Sequence, residues 1–160
     1  MKAIKIILIV LIVLTVVFIW SNSIRSRVES EAQSGAVKDT LENILTSGGS
    51  KPASACVEWI IGNIRKLAHF AEYFALSVFL SAYAVFFVRS VRAKALVILL
   101  SAPVAAIDET IQIFSNRGAA LSDVLLDTLG AAAGFAVTLA AAFIVRRLIN
   151  GKFREKAANT

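Results

Sequence analysis

The sequence predicts an all-α fold, a small polytopic helical membrane protein with about four transmembrane helices and short extracytoplasmic amphipathic helices. Three observations carry this. Of 160 residues, 58% are hydrophobic and only 18% charged, and the mean hydropathy is +0.74, whereas soluble domains carry about a quarter charged residues. Three apolar runs are long enough to cross about 30 Å of hydrocarbon, and a shorter one near the N-terminus precedes them. The basic residues behind the net charge of +6 gather at the ends of those runs. They do not line one exposed face with interleaved aromatics, so they read as topology signals and headgroup contacts, not as a nucleic-acid surface. Residues 1–160 form a single domain, and the lone Cys56 excludes an internal disulfide or a Cys-based metal site.

The first run, about 6–20, follows Lys2 and Lys5 and ends at Trp20. Two readings stand: a cleaved signal peptide with Ser21-Asn22-Ser23 as a poor cleavage site, or an uncleaved transmembrane anchor. A run at the upper limit of a signal h-region, closed by an interfacial Trp, favours the anchor. Segment 21–65 then reads as extracytoplasmic, with Ser21 to Ser34 as solvated surface or a frayed helical extension of the first run. Val37, Leu41, Ile44 and Leu45 repeat with helical period, Gly48 to Pro52 breaks the pattern, and Ala53 to Ile64 forms a second amphipathic piece carrying Trp59. Both pieces are too short to span and should lie flat at the surface or cap the bundle.

The second and third spans are expected at about 67–88 and 93–114. Pro103 should kink the third just before an acidic pair. The fourth span, about 121–145, is Ala-rich and precedes a basic tail, 146–160. Lys2 and Lys5, then Arg89, Arg92 and Lys94, then Arg146, Arg147, Lys152, Arg154 and Lys156 mark one side of the membrane, against Arg117 alone in the third connection. By the positive-inside rule both termini are cytoplasmic.

This topology collects polar residues from three spans into one shallow extracytoplasmic layer. Arg65, Lys66, His69, Glu72 and Tyr73 lie in the first turns of the second span, and Asp108, Glu109 and Gln112 in the last turns of the third. Ser122, Asp123 and Asp127 open the fourth, with Arg117 between. Each ionisable group at membrane depth costs roughly 2.5 to 3.5 kcal/mol on insertion scales, so a cluster of them has a use. His69, Glu72, Tyr73 and Leu76 share a helical face; so do Asp108 or Glu109 with Gln112, and Asp123 and Asp127 with Gly130 and Gly134. The last two form a GxxxG, a close-packing surface that should turn the acids toward another helix and could also support a homo-oligomer.

These residues resemble a known family. Arg65-Lys66-Leu67-Ala68-His69-Phe70-Ala71-Glu72-Tyr73, Asp108-Glu109-Thr110-Ile111-Gln112, Arg117, Ser122-Asp123 and Asp127-Thr128-Leu129-Gly130 with Gly134 look like the VanZ-like family of bacterial membrane proteins. The likeness is close over 65–134 and looser before it. Asn is frequent in that family where this chain has Asp127. The resemblance implies a multi-pass protein of the bacterial cell membrane and a cell-envelope role, the family's named member being associated with resistance to the lipoglycopeptide teicoplanin.

Five acids (Glu72, Asp108, Glu109, Asp123, Asp127) face three permanent bases (Arg65, Lys66, Arg117) in this layer. The surplus calls for protons, a divalent cation on carboxylates and Gln112, or a cationic ligand whose phosphate Lys66 and Arg117 would hold. No EF-hand, His-Glu-x-x-His, Gly-x-Ser-x-Gly or phosphate-cradling glycine loop is present, so neither a metal nor a cofactor is specified by motif. Ser122 is as readily an N-cap as a nucleophile. Three function classes stay open. One is binding of a lipid headgroup or a lipid-linked or lipoglycopeptide ligand. The second is an enzyme on a phospholipid or polyprenyl-phosphate headgroup, with His69, Glu109 and Asp123 as catalytic candidates. The third is lipid or proton-coupled transport.

Overall fold

The computed structural model describes residues 2–24, 63–115 and 121–158, with scattered helical positions between 29 and 59; the side chains of Arg65, Leu121, Ser122 and 151–158 lie outside the described set. Among the described residues the chain forms α1 (Lys2–Ile24), α2 (Ile64–Phe87), α3 (Val91–Leu99), α4 (Ser101–Phe114) and α5 (Leu121–Ala158), and no strand. With α3 and α4 taken together as Val91–Phe114, four segments are long and apolar enough to cross a membrane; the others are Lys2–Ile24, Lys66–Phe87 and Asp123–Asn150. The protein is an all-helical, multi-pass membrane protein.

Helix α2 is the centre, in contact with every other helix named here. His69, Tyr73, Leu76, Ser77, Leu80, Ser81 and Ala84 are its buried residues, spaced with helical period along one broad stripe. Tyr73, Leu76 and Leu80 join Ile19 of α1 in the core, against Ile12, Val16, Trp20, Val97, Val104 and Ala105. Large apolar side chains such as Ile7, Phe18, Leu96 and Phe143 are exposed. In water they would be a liability; here they face acyl chains, and the helical backbone satisfies its own polar groups.

Helix α5 packs more extensively on α2 than any other helix does. The cause is Gly130 and Gly134, where an added Cβ would stand 2.4 Å from the carbonyl oxygens of Phe70 and Phe74 respectively. No side chain fits there, so only glycine lets the two backbones approach this closely. The GxxxG surface that the sequence also offered for self-association is thus spent inside the chain. At 1.5 Å per residue, the 38 residues of α5 extend about 57 Å. The helix continues through Arg146-Arg147 into the segment expected as a separate tail.

Two expectations need correction. Helix α1 continues past Trp20 to Ile24, as the helical extension open to this segment allows, but Ser23, expected on a solvated surface, is fully buried. Ile12, Val16, Ile19, Trp20 and Ser23 continue one helical stripe, and Ser23 has a polar partner waiting on α4, so the helix extends. The break at Pro103 also falls elsewhere than expected. Pro103 lacks the N–H that would bond the Leu99 carbonyl and crowds that carbonyl, so the interruption sits at Leu100, with Leu100 N bonded to Val97 O at 3.3 Å. From Pro103 to the acids the helix is regular. Ser90 caps α3, its Oγ accepting from Ala93 N at 3.5 Å.

Of the two expected amphipathic pieces, the described positions 35–37, 39–40 and 43–44 are helical. The second lies outside the described residues except near its end, where Asn63 N bonds Trp59 O at 3.0 Å and leads into α2. The Gly48–Pro52 break also lies outside them.

Candidate functional site

The antiparallel pairing of α1 with α2 sets which residues meet. Near the start of α2, Glu72 accepts a hydrogen bond from Asn22 Nδ2 at 2.7 Å; near its end, the Tyr83 ring lies 5.9 Å under Lys5 Nζ. Lys94 and Arg146 line one apolar groove between α2, α3 and α5. The bundle therefore has a basic end and, opposite it, a polar end.

At the polar end three helices each bury a polar side chain. His69 on α2, Asp108 on α4 and Asp127 on α5 are 5%, 0% and 2% exposed. Each offers one ligand-capable atom, and these atoms lie within 4.8 Å of one another. Asp108 is held from two sides: Ser23 Oγ of α1 donates to its Oδ1, and Gln112 Nε2, one turn on, donates to its Oδ2 at 2.9 Å. This settles which acid pairs with Gln112. His69 Nδ1 lies 3.8 Å from Glu72 Oε2, and Glu72 is the acid held by Asn22. Tyr73, also buried, lies in range of the charges of Asp108, Asp127 and Glu72.

Asp127 differs from Asp108. Both of its carboxylate oxygens are shielded from solvent and neither has a hydrogen-bond partner. Three residues on, Gly130 presses α5 against Phe70 of α2, and this close approach brings Asp127 to His69. The same holds for the two oxygens of Glu109, although Glu109 as a whole is only half-buried. No lysine or arginine salt bridge reaches Asp108 or Asp127 among the described residues.

The other expected site residues are placed apart from this centre. Lys66 is exposed in the first turn of α2, and Asp123 is half-buried in the first turn of α5, where unpaired amides favour a carboxylate. α5 is described from Leu121, and the side chain of Ser122 lies outside the described residues. Arg117 lies outside the described residues. Conversely, Asn22 and Ser23 are site residues that sequence reasoning missed. Their signal was available, since Ser23 falls four residues after Ile19 on the stripe that α1 buries.

The fold and this site define a small helical membrane protein with a buried polar centre near one end of its bundle. A family model for VanZ/LLP1 matches residues 7–145, most of the chain. The chain belongs to the VanZ/LLP1 family. Among curated proteins and solved structures, none matches it.

Proposed function

We propose that this VanZ-family protein binds the headgroup of a lipid or lipid-linked molecule at its polar end, on the extracytoplasmic side of the bacterial cell membrane, and so contributes to resistance to teicoplanin-type glycopeptides. One observation carries the reading. Asp108 and Asp127, from different helices, are buried together with no lysine or arginine salt bridge among the described residues, and neither carboxylate oxygen of Asp127 has a hydrogen-bond partner. In hydrocarbon such groups persist only when something complements them. A headgroup that brings positive charge to the acids and phosphate to Lys66, which is exposed at the same end, supplies that complement.

The orientation rests on the basic end. Lys5, Lys94 and Arg146 gather there, and the positive-inside rule assigns that end to the cytoplasm. Both termini are then cytoplasmic and the acidic layer extracytoplasmic.

The test has a cellular and a molecular arm. Expression should raise the inhibitory concentration of teicoplanin, whose acyl chain reaches the membrane, and leave that of vancomycin, which lacks the chain, unchanged. Equal shifts for both drugs count against the reading. In native mass spectrometry of detergent-purified protein, a retained lipid should be lost in Asp127→Asn and kept in Val137→Ala, a change at an exposed position of α5. Identical lipid retention by both variants sinks it.

A further inference from the structure

We infer that His69, Asp108 and Asp127 form a binding site for one divalent transition-metal ion of the zinc or manganese class. This deepens the headgroup-binding reading and rests on it in one respect: the ion supplies the positive charge that the acids require, and its open position takes a headgroup phosphate.

The first argument is geometric. Ligand atoms around a shared ion at bonds of about 2.0 to 2.2 Å stand at most about 4.4 Å apart. The three candidate donor atoms already lie within 4.8 Å, so side-chain rotation closes the difference. They come from α2, α4 and α5, and the α2–α5 half of the arrangement is fixed by Gly130 against the Phe70 carbonyl. A site whose three donor side chains are buried on three packed helices changes little when an ion enters.

The second argument is independent of the clustering. Asp127 is 2% exposed, and both its oxygens lack any hydrogen-bond partner. A buried carboxylate left in this state is costly. A carboxylate with both oxygens open in this way is suited to ligate a cation. Asp108, by contrast, keeps a hydrogen bond on each oxygen, from Ser23 and Gln112, and retains a second lone pair on each for a metal.

The third argument concerns the histidine. Metal-bound histidines commonly direct their other ring nitrogen at a carboxylate, which fixes ring orientation. His69 Nδ1 lies 3.8 Å from Glu72 Oε2, close enough for a small ring rotation to make that contact, and Asn22 holds Glu72 in turn at 2.7 Å. Hydrogen bonds from α1 thus reach Asp108 directly, from Ser23, and reach Glu72, the neighbour of His69, from Asn22.

Charge and donor type choose the class of ion. Two carboxylates and a neutral imidazole around a divalent cation sum to zero, the cheapest state for a group buried in a bilayer. Magnesium and calcium prefer all-oxygen donors, whereas a mixed nitrogen and oxygen set suits zinc or manganese. Three protein ligands leave a coordination position open, as in sites that bind an exchangeable ligand.

The experiment uses the full chain in detergent micelles. Elemental analysis after desalting, both as purified and after incubation with zinc or manganese chloride, should find about one ion per chain. Cobalt substitution of the wild type should give visible absorption bands of a four- or five-coordinate ion. Asp127→Asn and His69→Gln, checked for helicity and monodispersity, should abolish both signals. Glu72→Gln should weaken affinity by about 10- to 100-fold. Absence of metal and of cobalt bands in the wild type overturns the inference without needing any variant, and so does equal metal content in wild type and Asp127→Asn. An amine-bearing lipid retained by metal-free protein overturns the metal site while leaving headgroup binding in place. Metal retained without any bound lipid does the reverse.

Discussion

The two seams that hold α2 and α4 in the bundle are built on opposite principles. The α2–α5 seam is backbone against backbone, with Gly130 and Gly134 meeting the Phe70 and Phe74 carbonyls where no side chain fits. The α1–α4 seam is polar side chain against polar side chain or backbone, through Ser23 to Asp108 and Trp20 Nε1 to Val104 O at 3.4 Å. Without water to expel inside the bilayer, close packing and hydrogen bonds are the available adhesives. The first seam uses one and the second the other. The consequence is a division of labour: the glycine seam sets where Asp127 stands, and the polar seam orients Asp108.

The largest effect should come from the glycine seam. Gly130→Leu forces the α2 and α5 backbones apart, because the obstruction is a carbonyl that cannot rotate away. Overpacking of this kind costs about 1 to 3 kcal/mol or more. Reversible unfolding in mixed micelles should show that loss, while Ala132→Leu on the exposed side of α5 should leave stability unchanged. Comparable stability for the two variants would mean that the helices are not held by this contact.

Asp127→Asn separates the site from the seam. In chelator, removing a buried unpaired acid should stabilise the bundle or leave it unchanged, since buried ionisable groups are expensive in lipid. With zinc or manganese present, the wild type should gain stability by mass action and the variant should not. A variant less stable than wild type in both conditions would show that Asp127 serves packing alone.

The two seams were not equally visible in the sequence. The glycine seam was, because Asp127, Gly130 and Gly134 recur on one helical face and GxxxG has a single steric meaning. The convergence of His69, Asp108 and Asp127 followed from topology and helical period. What stayed hidden was the polar seam. Asn22 and Ser23 sit just past a hydrophobic run, and local composition reads such residues as solvated. Only the position of α4 across from them shows that Asp108 is the partner. Pro103 was read correctly as a breaker but misplaced, because its effect falls on the carbonyl four residues earlier.

Ser23→Ala probes the polar seam directly. Interhelical hydrogen bonds in membranes average about 0.6 kcal/mol and reach about 1.7, so the stability loss should be far below that of Gly130→Leu. The effect on the site should be greater than the effect on the fold. With its Oδ1 partner gone, Asp108 loses one of two orienting bonds, and metal affinity should fall by about 10-fold or more. Isothermal titration with zinc measures this; unchanged affinity would detach α1 from the site.

The smallest effect should come from Trp20→Phe. The indole hydrogen bond to Val104 O is long at 3.4 Å, near the limit of useful geometry, and the ring remains apolar after substitution. Stability should change by less than about 0.5 kcal/mol, and zinc affinity should not change, because Trp20 touches α4 one turn before Asp108 and contacts none of the three ligands. If Trp20→Phe instead weakens metal binding as much as Ser23→Ala, then α1 acts on the site as a rigid body through its whole contact with α4. The hydroxyl of Ser23 would then not be the specific link between the two helices.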